Sequence, residues 1–312
     1  MPVYFRPSLL LEDDKNPSSL PNLGFEFSLP YFPIGPVNMS LGGRLITFGF
    51  DKEFGKDNLS DLARVQLKNA NILLHAQQAE SAITPTHWQA STFPQHIQGK
   101  ITVVHDGIDT KIVAPNPKVA IVLPNGKRIK KSDKVITFVS RSLEPYRGFH
   151  IFMRAVGEIL EAQPDVEILI IGDDGVSYGA HPSGDKTWKE IFSEEVTPQM
   201  SEQQRTRLHF LGRIPYEKYL AMLQVSSVHV YLTYPFVLSW SLLEAMSVGC
   251  AVVASDTVPL HEVIEDGVNG KLVDFFSHKQ LAKAVINLLE NTEERTRLGN
   301  SARKFAQKNY PV

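Results

Sequence analysis

Beyond Lys134 the chain alternates short apolar runs with stretches of helical period, and this constrains the fold more than any other feature of the sequence. The runs are VITFV (135–139), EILII (167–171), VHVYL (228–232) and CAVVA (250–254), and the helical stretches lie near 149–162, 216–225, 240–248 and 278–290. Parallel strands need a crossover between them, usually a helix, so the alternation predicts a parallel sheet wrapped by helices, an α/β fold. The runs are nearly continuous in Val, Ile and Leu, the pattern of strands covered on both faces. Each run gives way to small or polar residues: Ser140-Arg141, Gly172-Asp173-Asp174, Thr233-Tyr234-Pro235 and Ser255-Asp256. Open parallel sheets bind ligands beyond the carboxyl ends of their strands, so these four segments mark the expected site.

Upstream the pattern is weaker. Residues 1–58 are rich in Pro, Gly and Asn and show neither strand nor helix period, so no element is expected there. A helix is expected from about Leu59 to Gln78, followed by a short apolar step and a helix in AITPTHWQASTFP and a strand in KITVVHDGID. Residues 114–134 read as a connector with a hairpin turn at Pro124-Asn125-Gly126. These shifts divide the chain into a partial N-terminal lobe, 1–112, and a C-terminal domain, 113–312.

Within the C-terminal domain a single carboxylate is out of keeping with its surroundings. Glu244 sits among Leu242, Leu243, Ala245 and Met246. If its helix begins near Ser239, the backbone N–H groups of Ser239, Trp240, Ser241 and Leu242 lack partners within the helix and, with the dipole, attract a phosphate. Glu244 then lies one turn deeper, where a carboxylate accepts from both hydroxyls of a ribose cis-diol; the plainer alternative is a glutamate leaning toward solvent. The loop SRSLEPYRGF adds Arg141 and Arg147 at the same sheet edge, with Gly148 permitting close approach. Guanidinium forks bind phosphate oxygens bidentately, which makes a diphosphate between them and the helix start a coherent ligand; pairing with Glu144 or Asp174 is the competing use of these arginines.

Other chemistries fit poorly. No Gly-x-Gly-x-x-Gly follows a strand and no Gly-x-x-x-x-Gly-Lys-Ser/Thr appears, which disfavours a nicotinamide dehydrogenase and a P-loop enzyme. The adjacent acids of GDDG (172–175) lack His or Cys at ligand spacing, and HEVIED (261–266) lacks the second histidine of a zinc helix, so no metal site is expected. Lys and Arg number 32 against 34 Asp and Glu, leaving no broad basic field for nucleic acid. Cys250 is the only cysteine, and no stretch reaches the roughly 18 apolar residues of a membrane span. A cytoplasmic protein without integral membrane segments is expected.

The segments RSLEPYRGFHIFMRAV, RLHFLGRIPYEKYLAML, LLEAMSVGCAVVASD and VIEDGVNGKLVDF, in this order, resemble the donor-binding domain of family 4 glycosyltransferases, and VVHDGID (103–109) is similar to the segment entering that domain. The resemblance implies GT-B architecture and a retaining, metal-independent transfer of sugar from a nucleotide-diphosphate sugar, which acts as co-substrate without a further cofactor, to an acceptor the sequence does not identify. It implies that Arg141 and Arg147 hold the diphosphate, Glu244 the ribose, and the backbone of Gly212, Arg213 and Ile214 the base. Two departures stand out. The family usually places a second glutamate eight residues before the ribose-binding one, where this chain has Phe236. The first lobe is also short, and His75, His87, His96 and His105 have no context equivalent to the histidine relatives place near the reacting carbon. The expectation is therefore a complete, doubly wound C-terminal domain with an incomplete acceptor lobe and no assignable catalytic residue; the alternative is a truncated protein that binds nucleotide sugar or a partner without turnover.

Overall fold

The structure, a computed structural model, describes residues 38–41, 44–45 and 61–312, with side chains from Asn69 onward. The expectation of no regular structure over 1–58 lies outside the described residues, apart from two short strands. The chain forms two units, 1–106 and 107–312.

The first unit contains β1 (Asn38–Leu41), β2 (Arg44–Leu45), α1 (Asp61–Gln78), β3 (Ala82–Thr84), α2 (His87–Ser91), α3 (Gln95–Gln98) and β4 (Ile101–Val103). Its sheet runs β2-β1-β3-β4, with β3 and β4 parallel. Ala76, Phe93 and Ile97 form a small buried cluster beside Ile72, Leu73 and Ile101. Thr86 starts α2 by accepting the Gln89 N–H, as a β-region N-cap does.

The second unit opens with a hairpin, β5 (Ala120–Val122) and β6 (Arg128–Lys130), turning at Pro124-Asn125-Gly126, where Gly126 has φ +83°. Six parallel strands follow: β7 (Val135–Ser142), β8 (Glu167–Asp173), β9 (Leu208–Phe210), β10 (Val228–Tyr231), β11 (Ala251–Ser255) and β12 (Lys271–Val273). Between and after them lie α4 (Phe149–Ala162), α5 (Trp188–Val196), α6 (Glu202–Arg205), α7 (Tyr216–Val225), α8 (Trp240–Ser247), α9 (His278–Glu290) and α10 (Thr292–Asn309). Strand order is β12-β11-β10-β7-β8-β9. The chain winds outward from β7 through β8 to β9, then returns to the other side of β7 at β10. The topological switch point, where such sheets open a crevice, therefore lies between β7 and β10.

Alternation along each strand supplies both covers. Ile136, Phe138, Ile168 and Ile170 face α4, α5 and α9 through Phe149, Phe152, Val156, Phe192, Leu281 and Val285. On the opposite side, Val135, Leu169 and Ile171 pack with Val119, Leu123 and Ile129 of the hairpin and Met222 and Val225 of α7, while Val252 and Ala254 pack with α8 and α10. The chain end returns to this unit's beginning: the Ile108 N–H donates to the Tyr310 carbonyl (2.7 Å), and the Val312 N–H donates to the Ile108 carbonyl (3.2 Å).

Several elements differ from the sequence reading: β1 and β2 lie within 1–58, where none was expected, because strands of four and two residues are too short to show a period, and the short helices α3 and α6 were not expected either. The edge strands β9 and β12 have three residues each, and α5 is a nine-residue helix after a long loop. α10 buries only Leu298, Gly299, Ala302 and Ala306, so its apolar stripe is made of small residues. Gly299 is required there: a Cβ would lie 2.3 Å from the Gly249 carbonyl oxygen. Gly148 also has a different role from the expected one. It adopts φ +70°, and a Cβ would lie 2.3 Å from Leu232 Cβ, so its missing side chain lets the start of α4 meet the end of β10 rather than admitting a ligand.

Candidate functional site

The β7–α4 loop carries the basic pair to the switch point. Arg141 stands in the irregular end of β7, where the register with β8 shifts between Val139 and Ser142. Its side chain is exposed and makes no ion pair with any described residue. Arg147 follows in a single 3₁₀ turn, Pro145–Arg147, and is buried. Its Nη1 donates to Thr233 Oγ1 (2.9 Å) and Tyr231 Oη (3.2 Å), tying this loop to the end of β10. The guanidinium lies 4.9 Å from the Phe236 ring centroid and 5.3 Å from that of Tyr178, so aromatic rings attract the cation and limit its movement. Among the described residues Nη1 alone of the guanidinium nitrogens makes a hydrogen bond, leaving the Nε and Nη2 donors for a ligand.

Neither competing acid takes these arginines. Glu144, fully buried, accepts the backbone N–H groups of Ser177, Tyr178 (3.1 Å) and Gly179 (2.8 Å), and Asp174 pairs with Lys189 at 3.0 Å. Glu144 thus anchors the loop beyond β8, helped by Ser142 Oγ against Ser177 Oγ (2.6 Å), and that anchorage sets the Tyr178 ring beside Arg147. Phe236, at the position where a glutamate would be usual, packs edge-on against Tyr146 at 5.2 Å and beside Tyr178 at 4.8 Å.

The start of α8 is less open than the spacing suggests. Ser239 caps it, accepting the Ser241 N–H on Oγ (3.3 Å), while the Leu242 N–H donates to the Ser239 carbonyl (3.2 Å). Two of the four amides at 239–242 are therefore already partnered, because a capping serine serves the very groups a phosphate would use. Trp240 is 47% exposed beside them and Leu242 is buried.

Glu244 does not lean toward solvent: it is 9% exposed. Its Oε1 accepts from Tyr216 Oη (2.8 Å) and its Oε2 from Tyr219 Oη (2.6 Å), both from α7. Burial raises the carboxyl above its ordinary pKa, and the two phenol hydrogen bonds oppose that rise. Burial, aided by the glutamate, raises both phenols, which keeps them donors. Gly212, Arg213 and Ile214 lead directly into α7. Gly212 turns with φ +62° and its carbonyl accepts the Gly172 N–H (3.2 Å), exposed Arg213 pairs with Asp173 (2.5 Å), and Ile214 packs against the hairpin-side core.

All the expected site residues thus lie in segments leaving the carboxyl ends of β7, β9 and β10. The sequence reading missed Tyr178, Thr233 and Tyr231 around Arg147, and Tyr216 and Tyr219 on Glu244. Only TYP after β10 offered a local signal; the tyrosines are 28 and 25 residues from their glutamate.

This geometry agrees with what the chain resembles. The family model for glycosyl transferases group 1 matches residues 123–305, more than half of the chain and the whole of the six-stranded sheet. The chain belongs to the group 1 glycosyltransferases. A second model, the glycosyl transferase family 4 group, matches residues 44–113. Among curated relatives, spore coat protein SA of Bacillus subtilis is 27% identical over 231 residues, covering 70% of this chain and 57% of the relative. D-inositol 3-phosphate glycosyltransferase of Corynebacterium efficiens is 27% identical over 242 residues, covering 77% of this chain and 53% of the relative. The chain therefore spans about half the length of the curated relatives it matches. In structure it is similar to Anabaena HepE solved with UDP and glucose, with TM-score 0.61 and 21% identity over 82% of this chain and 66% of that one. Sucrose-phosphate synthase of Thermosynechococcus elongatus gives TM-score 0.62 at 18% identity, covering 81% of this chain and 60% of the other. These likenesses establish the fold: the six-stranded sheet and its helices are the Rossmann-like domain of GT-B glycosyltransferases. Among the described residues no helix is long and apolar enough to cross a membrane.

Proposed function

We propose that this chain binds a nucleotide-diphosphate sugar at the carboxyl edge of its six-stranded sheet and transfers the sugar, with retention, to an acceptor of unidentified class. Arg141 and Arg147 meet the diphosphate, the start of α8 contributes its dipole, Glu244 accepts the ribose hydroxyls, and the 212–214 backbone borders the base. The nucleotide sugar is the co-substrate and no separate cofactor is proposed. The observation that carries this reading is Arg147, a buried guanidinium fixed at the switch point with Nε and Nη2 left over among the described residues. Charge grows on the diphosphate as the sugar leaves, so cations already in place stabilise the transition state more than the ground state.

The test is a thermal-shift screen of UDP-, GDP- and ADP-sugars, followed by nucleoside-diphosphate release with and without a broad acceptor extract. Acceptor-dependent release on the order of 1 per second is expected of a working transferase. Binding without release would leave a donor-binding protein, and stabilisation by no nucleotide sugar would refute the proposal.

A further inference from the structure

Each carboxylate oxygen of Glu244 already accepts one hydroxyl before any ligand arrives. Tyr216 and Tyr219 present one phenol to each carboxylate oxygen, with ring centroids 5.8 Å apart. Two hydroxyls meeting one carboxylate, one per oxygen, is also how a cis-diol binds. The two phenols are not equivalent. Tyr219 lies one turn inside α7 and packs into both clusters on that side of the sheet. Tyr216 is the first residue of α7 and is 50% exposed; Pro215 before it supplies no side-chain cap, and helix ends fray. Glu244 is only 9% exposed, and of the two phenols on it Tyr216 is exposed while Tyr219 is half-buried, so displacing Tyr216 disturbs the less packed of the two.

We propose that Tyr216 is a displaceable gate on Glu244: its hydroxyl holds the place of one ribose hydroxyl and is exchanged when the donor binds, while Tyr219 stays and orients the carboxylate. This rests on the ribose reading of Glu244. It makes ribose recognition an exchange of hydrogen bonds, so the buried carboxylate keeps a partner on each oxygen in both states and never bears the cost of an unpaired buried charge. It also gives Tyr216 a direction of effect opposite to that of an ordinary contact residue. Removing its hydroxyl frees one acceptor position and strengthens binding.

The experiment is calorimetric titration of the whole chain with whichever of UDP, GDP or ADP stabilises it, and with the matching 2′-deoxy nucleotide. Thermal melts confirm that Tyr216→Phe, Tyr219→Phe and Glu244→Gln are folded. Tyr216→Phe is expected to raise affinity for the ribonucleotide, by about ten-fold if the closed arrangement holds roughly nine tenths of molecules. Affinity for the 2′-deoxy nucleotide should change less, and Tyr219→Phe should weaken ribonucleotide binding. Unchanged or weakened binding by Tyr216→Phe, with Glu244→Gln still abolishing the preference for ribo over deoxy, overturns the gate and leaves the ribose reading standing. Equal losses for the two nucleotides with Glu244→Gln overturn the ribose reading and the gate together.

Discussion

The two halves of the six-stranded sheet handle buried polarity in opposite ways. In the amino-terminal half, polar groups bond to one another, with His229 Nε2 left buried without a partner among the described residues. Thr137 Oγ1 lies 2.8 Å from both Ser226 Oγ and His229 Nδ1, and Glu167 takes His209 Nε2 (2.6 Å) on one oxygen and the Lys127 ammonium on the other. At the carboxyl edge, groups are fixed but not exhausted. Among the described residues Arg147 keeps Nε and Nη2 and Arg141 has no ion pair, while Glu244 is held by hydroxyls that a ligand can imitate. The difference separates structure from function within one fold. A network closed on itself away from the ligand edge stabilises one packing, whereas surplus capacity on immobilised groups at that edge leaves energy to be gained when a ligand completes it.

The largest expected effect belongs to a residue that fixes the carboxyl edge. Gly148→Ala forces a side chain onto Leu232 in a left-handed backbone, and about 3 kcal/mol of folding stability should be lost by chemical denaturation. A loss below about 0.5 kcal/mol would show that α4 and β10 can separate at little cost. Next comes Glu167→Ala, which leaves His209 and Lys127 without their carboxylate; Lys127 is half-exposed, so the expected cost is about 2 kcal/mol, mostly from the buried histidine side. Nucleotide affinity should be unaffected, and any selective loss of diphosphate binding would break the contrast between the halves.

Absent at neutral pH and growing only in acid is the effect of His229, fully buried, whose pKa burial pushes down to about 3. Above about 6.5 both folded and unfolded forms are neutral and it has no effect. As pH falls from 6.5 toward 3, the unfolded chain takes the proton and the folded one does not, so stability declines by roughly 1.4 kcal/mol per pH unit from this group. His229→Asn, whose amide reaches the Nδ1 position, should flatten that slope while nucleotide binding at neutral pH stays the same. An unchanged slope would place the acid sensitivity elsewhere.

How legible each region was follows from the same physics. β7, β8, β10 and β11 are covered on both faces, so their Val, Ile and Leu runs could be read directly; α4, α7 and α9 carry continuous apolar stripes and begin where their period begins. The edge strands β9 and β12 are short and only partly covered, and α10 packs through glycine and alanine, so none produced a run or a stripe. At the site, Arg141, Arg147 and Glu244 stood out because charge is unexpected at an apolar sheet edge. Their partners did not: Tyr216, Tyr219 and Tyr178 look like ordinary aromatics until the fold brings α7 to α8 and Glu144 pins the loop beyond β8. Ser239 was legible as the start of the helix, but its capping of the Ser241 and Leu242 amides was not, since that depends on the rotamer of one hydroxyl and the turn of its own carbonyl.

The central claim is that the carboxyl edge has spare capacity for a nucleoside diphosphate, with charge read by Arg147 and the diol by Glu244. The most direct measurement is calorimetric binding of UDP, uridine and 2′-deoxy-UDP to the native chain, Arg147→Ala and Glu244→Gln, using the corresponding guanosine or adenosine series if screening selects that base. Arg147→Ala should weaken UDP by about 1.5 to 3 kcal/mol and leave uridine nearly unchanged, as expected for loss of charge-assisted hydrogen bonds to phosphate. Glu244→Gln should remove the preference for UDP over 2′-deoxy-UDP, since an amide gives up half its acceptor capacity. Equal losses of UDP and uridine with Arg147→Ala would contradict the account, as would a Glu244→Gln chain that still prefers the ribose.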